Sequence, residues 1–173
     1  ESSNHIKFEL FSEASGNRTI YVQGVANLSK ELKEEERINI DSLQSKLTKV
    51  KEFDNLYSNL KKAGFNYGKS FQGLKELWKS GSEVLGKIEL ENINSEKFIL
   101  NPGILDSALH STIGLIEKSD SVMELPFLLK GFNFYAKELP EKLFVHAKLA
   151  SSIDDIKEFD LTLISESGIV LAK

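Results

Sequence analysis

The segment from Asn101 to Leu115 constrains the fold of this chain most, because it joins the start signals of a helix to a run of residues suited to burial. Asn101 is predicted to cap the helix, and Pro102 suits its first turn because the missing N–H of proline would have had no intrahelical partner. The residues that recur at the spacing of one helical face are Leu105, Ala108, Leu109, Thr112 and Ile116. The sequence therefore predicts a helix from Pro102 to about Lys118 that lies on a core.

An acid and a histidine lie at the border of this predicted face. Asp106 and His110 are four residues apart, which places their side chains close enough to touch. A pair of this kind is most often solvated on a helix surface. Burial beside apolar side chains favours a protonated carboxyl that can donate its proton, whereas the positive end of the helix dipole favours the ionised form near the first turn. The sequence leaves open which effect is larger.

Alternation of apolar and polar residues predicts β-strands on both sides of this helix. The predicted strands are Leu74–Lys79 and Glu83–Leu90 before the helix, and Gly131–Tyr135, Leu143–Leu149, Phe159–Ile164 and Ile169–Lys173 after it. An antiparallel sheet in this order would have one face covered by the helix, which is an α+β layering.

The first residues predict a hairpin of two strands, Ile6–Phe11 and Ile20–Val25. A lone hairpin is marginal in water, so these strands need a sheet to join. Asp41 and Asp54 are each predicted to cap a short helix, and Gly64 to stop the second one. The predicted organisation is residues 1–28 as strands, 29–53 as an exposed connector and 54–173 as the main unit.

Composition excludes several classes of function. The chain has 22 Lys and Arg against 26 Asp and Glu, a net charge of −4 that gives no electrostatic reason to expect nucleic acid or an anionic membrane as partner. It has no Cys, which excludes disulfides and thiolate catalysis. Its histidines, His5, His110 and His146, lack the spacing of a metal motif, so no metal site is predicted, and His146 is expected on a solvated strand face. No apolar run reaches the roughly 20 residues that span a bilayer, and no signal peptide is evident, so a cytoplasmic location is predicted.

Three segments together resemble the dehydratase domain of modular polyketide synthases, especially those served by separate acyltransferases. The segment from Tyr67 to Leu74 is similar to the YGPxFQGL signature of that family. The segment from Ile104 to His110 is similar to its LLDxALQ/H helix, and Leu125-Pro126-Phe127 is similar to its LPF segment. Their order and spacing also fit.

The resemblance implies a double hot dog fold, in which each half wraps a curled antiparallel sheet around one long central helix. Residues 54–173 would be the C-terminal half, and residues 1–28 would be the terminal strands of a preceding, mostly absent half. The chain also opens on Glu1 rather than Met and starts almost at once with a strand. It is therefore expected to be a piece of a larger synthase, with the missing N-terminal half and neighbouring synthase domains as partners.

The resemblance also implies a reaction, the loss of water from a β-hydroxyacyl thioester. In the family, the Asp of this helix is the general acid and a His of the first half is the base. Asp106 matches the acid, and His110 matches the residue that hydrogen-bonds near it. Tyr67, Gly68 and Phe71 match the substrate tunnel, although simple packing of the two aromatic residues stays open. No cofactor is implied, since the substrate would arrive on the phosphopantetheine arm of an acyl carrier protein.

Three departures from the family pattern raise alternatives. Lys69 stands where the family usually has Pro, and Asn101 where it usually has His. The histidine of the family motif HxxxGxxxxP is missing, so the chain alone is predicted to be inactive and is read as a fragment rather than a degenerate domain. Pyran-ring closure and a double-bond shift are alternative reactions, although double-bond-shifting relatives typically lose this Asp. A non-catalytic docking or structural half is the alternative from another class, and a homodimer stays open.

Overall fold

The computed structural model describes residues 5–27, 34–91, 98–116, 125–154 and 156–173. It divides into two compact units, Glu1–Glu34 and Glu35–Lys173. No helix in these described ranges is long and apolar enough to cross a membrane.

The first unit is the predicted hairpin, with strands longer than expected. Strand β1 (His5–Ala14) pairs antiparallel with β2 (Asn17–Asn27). Ser15 and Gly16 join them with positive φ angles of 52° and 79°, the left-handed conformation that tight hairpin turns require. Large apolar side chains stay exposed along both strands: Ile6, Phe8, Leu10, Phe11, Ile20, Tyr21, Val22 and Val25.

Within its described residues, the second unit is a six-stranded antiparallel sheet with three short α-helices. Its helices are α1 (Ile40–Gln44), α2 (Leu56–Lys62) and α3 (Pro102–His110). Its strands are β3 (Thr48–Lys49), β4 (Leu74–Ser80), β5 (Glu83–Glu89), β6 (Lys142–Ile153), β7 (Ile156–Ser165) and β8 (Val170–Ala172). They lie in the sheet in chain order, from β3 to β8. Helix α3 thus follows β5 and precedes β6 in the chain, although these two strands are neighbours in the sheet. It packs on the sheet, which confirms the predicted α+β layering.

The core lies between α3 and the sheet. Ile104 and Ala108 of the helix belong to one buried apolar cluster with Leu74, Ile88 and Val145 of the strands. Gly86 of β5 lets this packing close, since a Cβ at that position would come within 2.7 Å of Leu74 and 2.9 Å of Val145. The central strands are therefore buried where the helix crosses them.

The predicted core face of α3 is wrong, because the face that is buried is rotated about a third of a turn around the helix axis from the predicted one. Leu109, predicted to be buried, is 37% exposed, whereas Ser107 is fully buried. The face that meets the sheet carries Ile104, Ser107, Ala108, Ser111 and Leu115. Small hydroxyl residues let the helix approach the strands closely, and they bond to backbone groups of Gly73 and of the helix itself. A search for large apolar residues overlooks such a face.

Helix α3 is also shorter than predicted. The α-helix ends at His110 and continues as a 3-10 turn over Ser111–Leu115, while Lys118 lies outside the described residues. The hydroxyls of Ser111 and Thr112 donate to the carbonyls of Ala108 and Leu109, three residues earlier, at 2.7 and 2.8 Å. Such local bonds compete with the α-helical ladder and tighten the last turn.

The predicted connector belongs in part to the larger unit. The junction at residues 28 and 29 lies outside the described residues, but β3 pairs with β4 and Leu47 is buried with Trp78. The predicted caps are one or two residues out of place, because Asn39 rather than Asp41 caps α1 and Asn55 rather than Asp54 precedes α2. The predicted stop of α2 is confirmed, since Gly64 follows the helix with φ of 97°.

Two expectations about the last strands need correction. Residues 131–135 do not form a continuous strand. Phe134 makes a single bridge to Ala172, Asn133 exchanges two backbone hydrogen bonds with Lys173, and the Tyr135 N–H donates to the Leu171 carbonyl. His146 lies on the predicted strand face but is mostly covered, with Nε2 2.9 Å from a carboxylate oxygen of Glu83 on the neighbouring strand.

Candidate active site

The start of α3 is fixed by its cap, as the sequence predicts. The Asn101 side-chain oxygen accepts the N–H groups of Gly103 and Ile104 at 2.9 and 3.3 Å. Asn101 is itself buried, so its side chain supplies the hydrogen bond that water would otherwise make to the N–H groups of Gly103 and Ile104. Asp106 is the fifth residue of this helix, beyond the first turn, where the helix dipole has largely faded.

The loop that carries the family signature lies directly on this helix start. A Cβ added to Gly103 would meet the backbone oxygen of Ser70 at 1.9 Å, so only glycine fits there. The loop holds its own shape, because the Gln72 amide donates to the Tyr67 carbonyl at 2.7 Å and the Phe71 N–H donates to the Gly68 carbonyl at 2.9 Å. The two segments that the sequence singled out are therefore one packed unit.

Asp106 and His110 adjoin each other at the edge of the helix. His110 Nε2 lies 3.4 Å from Asp106 Oδ2, and the side chain of Asp106 is 33% exposed while that of His110 is 6% exposed. Within the described part of the chain, neither ring nitrogen of His110 has a hydrogen-bond partner. The carboxyl thus opens to solvent on one side and has a buried imidazole on the other, which is not the freely solvated pair that the sequence leaves open.

Two tyrosines hold the His110 ring from other elements. The ring of Tyr67 lies edge-on to the imidazole at 4.5 Å between centroids, and the ring of Tyr57 lies edge-on at 5.6 Å. Burial lowers the pKa of His110, and the neighbouring Asp106 opposes this shift. Burial also raises the pKa of Tyr67, with Asp106 adding to the rise. Both groups are therefore held in their neutral forms.

Of the remaining predicted site residues, the structure places Gly68 and Phe71 in the same loop as Tyr67. Gly68 is exposed just before the 3-10 turn Lys69–Phe71, and Phe71 is 37% exposed. Their side of the loop is accessible, while the Tyr67 ring contacts His110 of the helix.

The structure adds two residues that the sequence analysis did not select, Tyr57 and Ser107. The Tyr57 hydroxyl accepts the Leu74 N–H at 3.0 Å, and the Ser107 hydroxyl accepts the Gly73 N–H at 3.0 Å. Ser107 directly follows Asp106, so its place between Asp106 and His110 in the sequence could have marked it as a candidate site residue. Tyr57 offered no such signal beyond its place in α2, because its contact with α3 depends on the tertiary fold.

The burial of His110 predicts a pH-dependent stability. Since its folded pKa is lowered from the ordinary 6.5, the unfolded chain binds the proton more readily than the folded one. The free energy of unfolding of the intact domain is expected to fall as the pH is lowered through 6.5, and to hold above that value. Urea unfolding between about pH 5 and 8 measures this slope, which His110→Gln should reduce.

His5→Gln is the matched control, because His5 lies in the hairpin and is exposed. Its slope should equal that of the unchanged domain. An unchanged slope in His110→Gln would contradict the assignment of the titration to His110.

Comparison with known proteins decides the family. The family described as polyketide synthase dehydratase N-terminal domain matches residues 37–173. The chain belongs to the polyketide synthase dehydratase family. The antiparallel sheet with its covering helix is accordingly the hot dog fold, and the resemblance found in the sequence is confirmed.

Three relatives illustrate the match. Polyketide synthase PksM of Bacillus subtilis (strain 168) is 26% identical over 189 residues, which cover 100% of this chain and 4% of PksM. A crystal structure of a trans-AT PKS dehydratase domain from Brevibacillus brevis is 25% identical with a TM-score of 0.86, covering 99% of this chain and 63% of that one. An inactive Asp-to-Asn mutant of the CurK dehydratase is 26% identical with a TM-score of 0.80, covering 99% of this chain and 61% of that one. The chain therefore spans less than two thirds of each of these relatives.

Among the described residues, no group of three His, Cys, Asp or Glu side chains lies close enough together to hold a metal ion. The chemistry available at the candidate site is that of a carboxyl, an imidazole and two phenols.

Proposed function

We propose that this chain is the C-terminal half of a dehydratase domain that removes water from a β-hydroxyacyl thioester and yields an α,β-unsaturated acyl thioester. The observation that carries the proposal is the half-buried carboxyl of Asp106, open to solvent on one side and 3.4 Å from the buried His110 on the other. A proton donor needs both an accessible path to the leaving group and a shielded environment.

The reaction balances with one base and one acid. The base takes the proton from the α-carbon, the C–H electrons form the new double bond, and the C–O bond at the β-carbon breaks. Asp106 gives its proton to the departing hydroxyl, which leaves as water, since hydroxide is a poor leaving group. The carboxylate then regains a proton for the next turnover.

His110 has a supporting role in this proposal. Its neutral, buried ring lies against the carboxyl without a hydrogen-bond partner in the described residues, so Nε2 is free to bond to the carboxyl when substrate is bound. Tyr67, Gly68 and Phe71 would line the substrate tunnel from the loop side. One related structure is that of an inactive Asp-to-Asn mutant of the CurK dehydratase, which supports an essential carboxyl.

The base is proposed to come from the missing part of the domain. No His other than His5, His110 and His146 exists in this chain, and none carries the family motif of the base. The exposed apolar side chains of the hairpin and of the segment Leu125, Phe127, Leu128 and Leu129 support a further half as a partner, since surfaces of this kind are usually covered. The matched family description refers to an N-terminal domain, and the assignment to the C-terminal half rests on the Asp106 helix.

The substrate is proposed to arrive on the phosphopantetheine arm of an acyl carrier protein, with no cofactor, inside a larger cytoplasmic synthase. Acid–base elimination needs no cofactor. Ring closure on the same scaffold stays an alternative, whereas the presence of Asp106 favours dehydration over a double-bond shift.

The chain alone is predicted to be inactive, because it lacks the base. Incubated with a β-hydroxyacyl thioester on a carrier protein, residues 1–173 should give no enoyl product by mass spectrometry, while the parent domain with its first half should give it. Enoyl product from the isolated chain would overturn the assignment of the base to the missing half.

A further inference from the structure

We propose that Tyr57 is a positioning residue for the Asp106 and His110 pair, acting through its hydroxyl on the start of β4 and through its ring on the imidazole. The expected effect on kcat rests on the proposed function, but the expected effect on the titration of His110 does not.

Two hydroxyls from different helices receive two consecutive backbone donors. Gly73 N–H donates to Ser107 of α3, and Leu74 N–H donates to Tyr57 of α2, each at 3.0 Å. These donors lie where the signature loop becomes strand β4, at a point where both residues are buried. A buried N–H without a partner costs about 1–3 kcal/mol, so the two hydroxyls fix the loop to both helices.

The Tyr57 hydroxyl is linked to α3 through the backbone, because it and the Ser107 hydroxyl accept the consecutive N–H groups of Leu74 and Gly73. Burial raises the pKa of Tyr57 to about 12, against the opposing hydrogen-bonding interactions with Leu74 and Ser107. The phenol is therefore neutral at any working pH, and it acts by holding a place rather than by giving up its proton. Since Ser107 follows Asp106 and lies one turn before His110, fixing Ser107 fixes the rotation of the helix that carries both.

The ring of Tyr57 completes the restraint. His110 has no hydrogen bond in the described residues that could set its ring plane. The two tyrosine rings instead contact it edge-on, with interplanar angles of 74° for Tyr57 and 80° for Tyr67. The groups that face the imidazole are thus Asp106 from its own helix, Tyr57 from α2 and Tyr67 from the loop.

The test uses Tyr57→Phe in the intact dehydratase domain, which keeps the ring and removes only the hydroxyl. We expect kcat for water loss to fall about tenfold or more with KM little changed, because a small misplacement of the acid weakens the transition state and not substrate binding. We also expect the titration midpoint of His110, followed by NMR of ¹⁵N-labelled histidine and identified by its absence in His110→Gln, to rise toward 6.5 as the ring gains access to water.

Tyr135→Phe is the matched control, since it removes a phenol hydroxyl from a residue that is 39% exposed and lies outside α2, α3 and the signature loop. It should change neither kcat nor the His110 midpoint. Ser107→Ala removes the same restraint from the helix side, and decides the question by the same two measurements if Tyr57→Phe fails to fold.

The outcomes separate cleanly. A lower kcat together with a moved His110 midpoint supports positioning by Tyr57. A lower melting temperature with an unmoved midpoint shows a merely structural residue and overturns the proposal, as does the absence of any change. If the unmodified domain does not release water, the proposed function fails, and the His110 midpoint alone then decides whether Tyr57 positions the pair.

Discussion

Replacing Asp106 by Asn in the intact parent domain is expected to reduce water loss by about 10²–10⁴-fold, the usual contribution of a general acid. The amide has nearly the same shape as the carboxyl but has no acidic proton to give to the departing hydroxyl. Asp106 is also partly exposed and makes no hydrogen bond that holds the described fold together, so stability should change little. Formation of enoyl thioester on the carrier protein, followed by mass spectrometry, measures the loss.

The matched control for this change is Asp160→Asn. Asp160 lies exposed on β7, so the same loss of charge occurs away from α3. Its activity should equal that of the unchanged domain. Retained turnover in Asp106→Asn, with Asp160→Asn also active, would show that Asp106 is not the acid.

Replacing Gly103 by Ala is expected to have the largest effect on stability, a loss of about 3 kcal/mol. The clash would be with a backbone atom, so a change of side-chain rotamer could not relieve it. The new methyl would lie 1.9 Å from the backbone oxygen of Ser70 and would force the signature loop away from α3. Since the same loop carries Tyr67, activity should fall along with stability. Urea unfolding of the intact domain measures the free energy, and the same preparation gives the turnover.

Gly131→Ala gives the matched control. A Cβ at Gly131 meets no atom within 4 Å, so this variant should unfold at the same urea concentration as the unchanged domain. Equal stability of the Gly103 and Gly131 variants would mean that loop and helix are not pressed together as described.

Both variants probe one arrangement, the packing of α3 that holds the proposed site. The cap at Asn101, the close approach at Gly103 and the hydroxyls of Ser107 and Tyr57 all fix helix α3 against the loop and the sheet. The carboxyl of Asp106 is thus held at a set position before any partner or substrate arrives. Groups held in this way need little reorganisation during a reaction, which is what catalysis by proton transfer requires.

Features that depend on neighbours along the chain could be predicted from the residues alone. Asn101 and Pro102 predicted the start of α3, because capping and the missing proline N–H act within a few residues. The period-2 alternation predicted β4 to β7 within a few residues of their observed ends, because it records which side of a strand is buried. The same alternation also predicted a strand at residues 131–135, where the structure has a single bridge instead of a continuous strand.

The rotation of α3 about its axis and the surroundings of its acid depend on tertiary contacts. Side-chain size pointed to Leu109 as a core residue, but the close packing of loop and sheet instead buries Ser107, whose hydroxyl finds a backbone donor far away in sequence. The environment of His110 likewise comes from Tyr57 and Tyr67, residues more than forty positions earlier. A local pattern can place an acid and a histidine one turn apart, but burial depends on contacts that no single stretch contains, and burial is what separates this pair from a solvated one.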